Sequence, residues 1–168
     1  MRLMFSAALS AAIVVPASAA EMKVSVEIPR MTVAEYHRPY VAMWLEKAGD
    51  PKVVNLAVWY DIKLKQNEGA KWLKDMRQWW RKTGRELEMP VDGLSSPTRA
   101  PGTHEVTFDD AKLAGLAPGE YQFVIEAARE VGGRELLRIP VQWPPKPGAE
   151  GKAKGEHELG AVSVALKP

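Results

Sequence analysis

Short runs in which apolar and polar residues alternate, each closed by a turn signal, restrict the folds open to this chain. Residues 23–28 place three branched apolar side chains on one face of an extended segment, and residues 121–128 repeat the pattern. This period of two is typical of a half-buried strand. Gly49-Asp50-Pro51 and Gly132-Gly133 are turn signals that join such strands into hairpins. The chain is therefore expected to be built mainly from antiparallel β-sheet.

The full pattern predicts about seven strands separated by frequent turns. They fall at residues 23–28, 40–46, 53–60, 104–108, 121–128, 134–143 and 158–166. No β-α-β alternation is present, and strands at this spacing favour an immunoglobulin-like sandwich of two antiparallel sheets. Residues 86–102 are predicted as a long ordered loop, and the Pro/Gly/Lys-rich residues 144–155 as a flexible excursion.

One stretch, residues 71–83, changes to a helical period. On a helical wheel Trp72 falls beside four apolar residues and opposite four cations; the apolar residues are Leu73, Met76, Trp79 and Trp80, and the cations are Lys71, Lys74, Arg77 and Arg81. This predicts one amphipathic helix inserted over about residues 69–83, with Asn67 and Gly84 as its caps. We expect its tryptophans to pack on the sheets and its cations to face solvent. Stacking of the tryptophans on a flat ligand such as flavin or haem is the alternative.

The predicted strand at residues 53–60 is apolar on both faces. With strict alternation, one face carries Val54, Leu56 and Val58, and the other carries Val53, Ala57 and Trp59. The residues 40–46, which include Trp44, form the other half of the same hairpin. We therefore expect one face of this hairpin to pack in the core and the other to lie beneath the helix.

The N-terminal 20 residues have the features of a secretory signal peptide. Arg2 is followed by an apolar run over residues 3–15, and Pro16 and Ala17-Ser18-Ala19 supply the break and the small residues of a cleavage site. The run is shorter than the roughly 20 residues that span a bilayer. The sequence predicts a signal peptide over residues 1–20, and one exported, soluble domain over residues 21–168.

The chain contains no cysteine. This excludes disulfides, thiol catalysis, Cys-ligated zinc, iron–sulfur clusters and covalent c-type haem. No metalloprotease, P-loop or nucleophile-elbow motif occurs, and the spacing of His37, His104 and His157 does not indicate a metal site. A formal net charge of +2 gives no reason to expect nucleic-acid binding. We predict a protein that is not an enzyme and holds no metal.

Charge is distributed unevenly along the chain. Residues 63–85 contain eight basic and two acidic side chains, a local charge of +6. A basic face carrying Lys74, Arg77 and Arg81 is a candidate surface for an anionic partner, with a solvated helix face as the alternative. Arg99 and Arg129 are candidates for holding an acidic ligand. Alternatively, they form a structural network with three neighbouring charges, which are Glu126, Glu130 and Arg134.

Two stretches of the sequence resemble known protein families. Residues 101–127, PGTHEVTFDDAKLAGLAPGEYQFVIEA, are similar to a hairpin of immunoglobulin-like modules of the flagellar hook-capping type. More widely, YVAMWLEKAGDPKVVNLAVWY, WLKDMRQWW, VDGLSSPTRAPGTHEVTF, GEYQFVIEAAREVGGRELLRIPVQW and HELGAVSV resemble, in this order, the domain-of-unknown-function family 2271 (DUF2271). The resemblance implies a periplasmic protein without an established activity. It also implies association with PepSY-type membrane proteins, ApbE-type flavin transferases and TonB-linked iron uptake.

The resemblance extends to the loop at residues 91–102. Its centre is similar to a motif, D-x-x-[ST]-G-A-[ST], whose last hydroxyl accepts a phosphoester-linked flavin mononucleotide (FMN). This resemblance implies Thr98 as the acceptor, with Asp92 and Ser95 as motif partners. Here Gly-Ala is replaced by Ser96-Pro97, and proline fixes φ and removes a donor. The family's R-E-H-G-G sequence is Arg129-Glu130-Val131-Gly132-Gly133 here, without the histidine.

Together these observations predict an exported periplasmic binding or accessory protein without a cofactor. Its expected partner is a periplasmic or inner-membrane protein, such as a PepSY-type membrane reductase or an iron-uptake system. The alternative is a periplasmic redox protein that carries FMN on Thr98.

Overall fold

The computed structural model describes residues 19–168, so the signal peptide predicted over residues 1–20 lies almost entirely outside the described residues. Within this range nine strands form two sheets. The strands are β1 (Glu21–Ile28), β2 (Tyr40–Lys47), β3 (Val53–Tyr60), β4 (Ser95–Pro97), β5 (Gly102–Phe108), β6 (Gly119–Ala128), β7 (Arg134–Trp143), β8 (Ala149–Lys154) and β9 (Ala161–Lys167). One sheet has the order β5-β1-β9-β8 and the other β4-β3-β2-β6-β7. All neighbours are antiparallel except β3 and β4.

The two sheets pack against each other through a shared apolar cluster. Alternate residues of β1, from Met22 to Ile28, meet inward-facing residues of β2 and β6, among them Met43 and Phe123. The period of two in the sequence places these side chains on one face of each strand. The predicted mainly β fold with two sheets and the β2–β3 hairpin are confirmed. The stretch 101–127 is not a hairpin, because β5 pairs with β1 and β6 pairs with β2.

A β-bulge changes the faces predicted for β3. The pairing with β2 shifts between Met43 and Trp44, so Leu56 and the next residue, Ala57, both belong to the cluster between the sheets. An extra residue in one strand turns all following side chains to the other face. The predicted face of Val54, Leu56 and Val58 is therefore wrong, since Val58 lies on the outer face. Both faces are nevertheless buried as predicted: Trp59 lies between the sheets, and Trp44 lies beneath the helical region.

The single continuous helix predicted over residues 69–83 is wrong. A 3-10 helix (Lys65–Asp75), the short helix α1 (Arg77–Lys82) and a 3-10 turn (Gly84–Glu86) replace it, and we call residues 65–86 the helical segment. Met76, at φ −78° and ψ 74°, separates the first two parts. The buried residues Leu73, Met76 and Trp79 consequently recur at every third position, and Trp72, predicted to be docked, is 49% exposed. No helix in residues 19–168 combines the length and apolarity needed to cross a membrane.

The predicted caps have other roles. Asn67, at φ 55°, lies inside the first 3-10 helix and donates its side-chain amide to the Met89 carbonyl. Gly84 begins the following turn, where a Cβ would lie 2.5 Å from the Trp79 ring. Gly84 is therefore required for close packing against Trp79.

Two regions predicted to lack regular structure contain strands. The loop at residues 86–102 includes β4, which pairs with β3 in parallel. The flexible excursion predicted at residues 144–155 is wrong, because β8 pairs with β9 along six residues. The alternate residues of β8 are Ala149, Gly151 and Ala153, which carry little apolar signal. A Cβ on Gly151 would lie 2.3 Å from Ile139 Cγ2, so these small residues permit close contact with β7. The short helix α2 (Asp110–Leu113), capped by Asp109, was not predicted.

Candidate functional site

A buried carboxylate from β6 fixes the start of α1. Glu126 is fully buried and accepts hydrogen bonds from the backbone N–H groups of Gln78, at 3.1 Å, and Trp79, at 2.7 Å. Arg134 of β7 donates its Nε to the same carboxylate. Because the first N–H groups of a helix have no partner within it, this carboxylate satisfies them and anchors the helix on the sheet.

The side chain of Trp79 sets the rotation of α1. Its ring is fully buried, and its Nε1 donates to Asn55 Oδ1 of β3 at 2.9 Å. Asn55 in turn donates to Thr83 Oγ1, just beyond the helix. With Trp79 turned towards the sheet, residues two positions away on either side, Arg77 and Arg81, are directed away from it and are exposed.

The predicted basic face lines one cleft of about 450 Å3. We call it the basic cleft; its lining residues are Lys74, Arg77, Trp80, Arg81 and Arg134. No carboxylate lines this cleft. Among residues 19–168, Lys74, Arg77 and Arg81 have no carboxylate oxygen within 4.0 Å, and Arg81 donates only to the neutral Gln78 amide, at 2.6 Å. The three cations chosen from the sequence are thus brought together and are not neutralised.

Nearby cations on the same side of the sheet are occupied. Glu46 of β2 lies 2.9 Å from Arg138 Nη1 and 3.9 Å from Lys82 Nζ. Burial would raise the pKa of the Glu46 carboxyl, but hydrogen bonds from the Trp44 indole and Arg138, with the charges of Arg138 and Lys82, hold it below its ordinary value. Arg138 and Lys82 are therefore paired with a carboxylate, whereas Lys74, Arg77 and Arg81 of the basic cleft are not.

A second cleft, of about 310 Å3, adjoins the basic cleft and shares Arg77 and Arg134 with it. We call it the arginine cleft; its other lining residues are Asp75, Ala128, Arg129, Gly132 and Gly133. The Arg129 side chain is only 7% exposed. Its Nε and Nη2 donate to Glu158 at 2.8 and 3.2 Å, and its buried Nη1 has no partner among the described residues.

The Gly132-Gly133 turn is shaped around this arginine. A Cβ on Gly132 would lie 2.4 Å from the Arg129 Cζ, and the Gly133 N–H donates to Glu158 Oε1 at 2.8 Å. The paired charges therefore join the β6–β7 turn to the segment before β9. Glu126 and Arg134 form the second pair of this network.

The remaining predicted site residues lie elsewhere. The Arg99 guanidinium lies 5.1 Å from the centre of the Trp59 ring, beside a groove that also contains Ser95. Ser95 accepts a hydrogen bond from the Val91 N–H at 2.9 Å, and Asp92 is exposed. Thr98 is 9% exposed and donates to Asp61 Oδ1 at 3.3 Å, in a different cleft. Ser95 and Thr98 of the flavin motif therefore line two different clefts.

The histidines have separate surroundings. His37 lies 2.8 Å from Glu35 and 3.6 Å from Glu130, and His104 Nε2 lies 2.7 Å from the Ala100 carbonyl. In the part of the chain that the structure describes, no group of three or more His, Asp or Glu side chains is positioned to hold a metal ion.

Sequence reasoning missed two parts of the basic cleft. The sequence places Arg134 only in a charge network, and Trp80 either against the sheets or stacked on a flat ligand, yet both line the cleft beside its cations. The Gly132-Gly133 turn signal could have located Arg134, because that hairpin pairs it with Ala128, which lines a cleft together with Arg77 of α1. A helical wheel assumes one continuous helix. It therefore does not include the break at Met76, and it places Trp79 and Trp80 on the same face.

A family model described as "Predicted periplasmic protein (DUF2271)" matches residues 21–161. No curated protein and no solved structure matches the chain.

Proposed function

Since this chain belongs to the DUF2271 family of predicted periplasmic proteins, we propose that it is a periplasmic binding protein, not an enzyme, whose basic cleft recognises an anionic partner protein. One observation carries the proposal. The cleft is lined by four cations and a tryptophan, without a carboxylate, and three of the cations have no ion-pair partner among residues 19–168.

The composition of the cleft suits recognition more than stability. Unpaired surface cations attract an acidic partner over about 10 Å at moderate salt. Arginine and tryptophan are enriched among the residues that contribute most to protein interfaces. The half-buried Trp80 offers an apolar contact beside the cations. An acidic segment with an adjacent apolar residue would therefore fit both parts of the cleft.

The class of partner comes from the family resemblance. A periplasmic or inner-membrane protein, such as a PepSY-type membrane reductase or an iron-uptake protein, would present its periplasmic surface to this cleft. The proposal requires that this surface be acidic, because a basic surface would be repelled.

Retention from a periplasmic extract tests the proposal. Immobilised protein is expected to retain a partner at low salt and to release it as salt rises. The triple variant Lys74→Glu, Arg77→Glu and Arg81→Glu is expected to retain nothing. The control variant Lys52→Glu, Lys146→Glu and Lys154→Glu changes the net charge equally at exposed positions outside the cleft and should retain the partner. Equal behaviour of the two triple variants would refute the proposal.

We further propose that the two sheets have an immunoglobulin-like topology. The order β3-β2-β6-β7 corresponds to C′-C-F-G, and β5-β1-β9 corresponds to E-B-A with β9 in the position of strand A. The short β4, which pairs with β3 in parallel, has no counterpart in that fold. Tyr121, near the start of β6, donates its hydroxyl to the Ala117 carbonyl at 2.8 Å. This is the contact of a tyrosine corner, which marks the start of strand F in such sandwiches.

A second candidate function is a redox protein that carries FMN on Thr98. The observation that favours it is the hydrogen bond from the Thr98 hydroxyl to Asp61, in a cleft that also contains Arg38 and Lys63. A carboxylate can accept the hydroxyl proton, and the two cations suit a phosphate group. Intact-mass measurement after co-expression with a flavin transferase tests this function. An added FMN that is lost in Thr98→Val, but kept in Thr103→Val, would support it; an unmodified chain would exclude it.

A further inference from the structure

The arginine cleft is lined by guanidinium nitrogens that are not all used in ion pairs among the described residues. Three arginines line it, which are Arg77, Arg129 and Arg134. Arg129 directs two of its nitrogens to Glu158, and Arg134 uses its Nε for Glu126. Arg77 has no carboxylate within 4.0 Å among the described residues. Asp75 is the one acidic residue lining the cleft, and it forms no ion pair within residues 19–168.

One nitrogen of Arg129, Nη1, is both buried and without a hydrogen-bond partner among the described residues. The side chain as a whole is only 7% exposed. An unsatisfied buried donor costs about 1–3 kcal/mol, and more when it is charged. The Tyr36 ring, whose centre lies 5.9 Å from the Arg129 Cζ, covers the guanidinium but accepts no conventional hydrogen bond from Nη1. Such a group in a native protein calls for an explanation, and binding of an ion is one of the recognised explanations.

The shape of the cleft suits a small oxyanion. Gly132 and Gly133 leave one wall without side chains, and Gly132 lies directly against the Arg129 guanidinium. Guanidinium groups match the oxygen spacing of phosphate and can bind it with two parallel hydrogen bonds. A cleft of about 310 Å3 has room for one phosphate group and for part of the molecule that carries it.

We propose that the arginine cleft is a binding subsite for a phosphate-type oxyanion, held by Arg77, Arg129 and Arg134. The subsite deepens the proposed function and rests on it in one respect, because Arg77 and Arg134 also line the basic cleft. The group recognised is a phosphate. Its source is either a soluble phosphate or the headgroup of an anionic phospholipid.

Titration calorimetry with inorganic phosphate at constant ionic strength tests the subsite. The wild-type chain is expected to bind phosphate, and Arg77→Gln to weaken binding by about tenfold or more, as expected for one charge-assisted hydrogen bond. Arg85→Gln removes the same charge from the helical segment outside both clefts and should leave binding unchanged. Asp75→Asn should strengthen binding, because it removes the acidic residue that competes with the ligand.

Gly132→Ala tests Arg129 without removing its charge. Its Cβ would press on the Arg129 guanidinium, so phosphate binding should weaken while urea unfolding reports whether the variant folds. If Gly132→Ala does not fold, the comparison of phosphate binding by Arg77→Gln and Arg85→Gln tests the subsite instead. Absence of phosphate binding by the wild-type chain, or equal weakening by Arg77→Gln and Arg85→Gln, overturns the subsite.

Vesicles distinguish the two sources of phosphate. Co-sedimentation with phosphatidylglycerol vesicles that is displaced by free phosphate indicates a headgroup, and phosphate binding without co-sedimentation indicates a soluble ligand. Co-sedimentation that phosphate does not displace overturns the subsite, because general surface charge then accounts for it. Partner retention that persists without any phosphate binding would refute the subsite alone and leave the proposed function standing.

Discussion

The two faces of the five-stranded sheet are covered in different ways. The inner face packs on the four-stranded sheet through apolar side chains such as Val41 and Phe123. The outer face lies beneath the helical segment, which is fixed by the Glu126 carboxylate and the Asn55 amide as well as by apolar contacts. Each helical part of this segment has 11 residues or fewer and is not stable alone, so these anchors hold it in place. The inner face is held by apolar packing alone, whereas the outer face combines apolar contacts with polar anchors and carries a segment whose cations are unpaired.

Removal of a large inner side chain should have the largest effect. Trp59→Ala is expected to lower the free energy of unfolding by about 3–5 kcal/mol, because the ring is 1% exposed and its removal leaves a cavity. Trp72→Ala, at a position 49% exposed, is the control and should cost far less. Urea unfolding measures both. A loss below about 1 kcal/mol for Trp59→Ala would contradict the assignment of this face to the core.

Removal of the outer anchor should have a smaller effect that is confined to the helical segment. Glu126→Gln replaces a buried carboxylate that binds two backbone N–H groups and Arg134, at an expected cost of about 1.5–3 kcal/mol. Near-ultraviolet circular dichroism should show loosened tryptophans. Glu120→Gln, an exposed change on the same strand, should leave the spectrum unchanged. An unaltered spectrum for Glu126→Gln would mean that the Asn55 amide and apolar contacts position α1 without the Glu126 charge.

A pH-dependent contribution is expected away from both faces, at the segment between β8 and β9. Burial would raise the pKa of the Glu135 carboxyl, but hydrogen bonds from the backbone N–H groups of Glu156, Leu159 and His157 hold it below its ordinary value of 4.5. A lowered carboxyl pKa stabilises the fold above the unfolded-state value, and this stabilisation is lost as pH falls through the folded-state value. Glu135→Gln should therefore be less stable than wild type at pH 7, by about 1 kcal/mol.

Unfolding measured through this pH range checks the sign. The difference between wild type and Glu135→Gln should shrink as pH falls below about 4.5, because the carboxyl is protonated first in the unfolded state and only at lower pH in the folded state. A difference that is constant with pH would show that the charge of Glu135 contributes nothing to stability.

The strands were predictable because most are controlled locally. Alternating residues in β1 and β6 indicate which side chains are buried before any pairing is known. The bulge at Leu56 and the break at Met76 were not predictable from the sequence, because each depends on contacts with another element. β8 escaped prediction because its small residues are selected for close approach to β7, which a pattern of hydrophobicity does not record.

The candidate site was predictable only where local helical geometry determines the positions of its residues. Arg77 and Arg81 are four residues apart within α1, so helical geometry groups them. Lys74 precedes the break at Met76, so its position in the same cleft depends on the tertiary fold. The burial of Arg129 and the approach of Arg134 depend on partners distant in sequence, Glu158 and α1. Only the tertiary fold brings these together.

The cations of the basic cleft are proposed to bind a partner and not to support the fold. The most direct test measures urea unfolding and low-salt partner retention on one preparation of the Lys74→Glu, Arg77→Glu, Arg81→Glu variant. Each exposed substitution should change stability by no more than about 0.5 kcal/mol, so we expect nearly unchanged unfolding together with loss of retention. Marked destabilisation would show that the cations are structural, and undiminished retention in a stable variant would show that this surface is not the binding site.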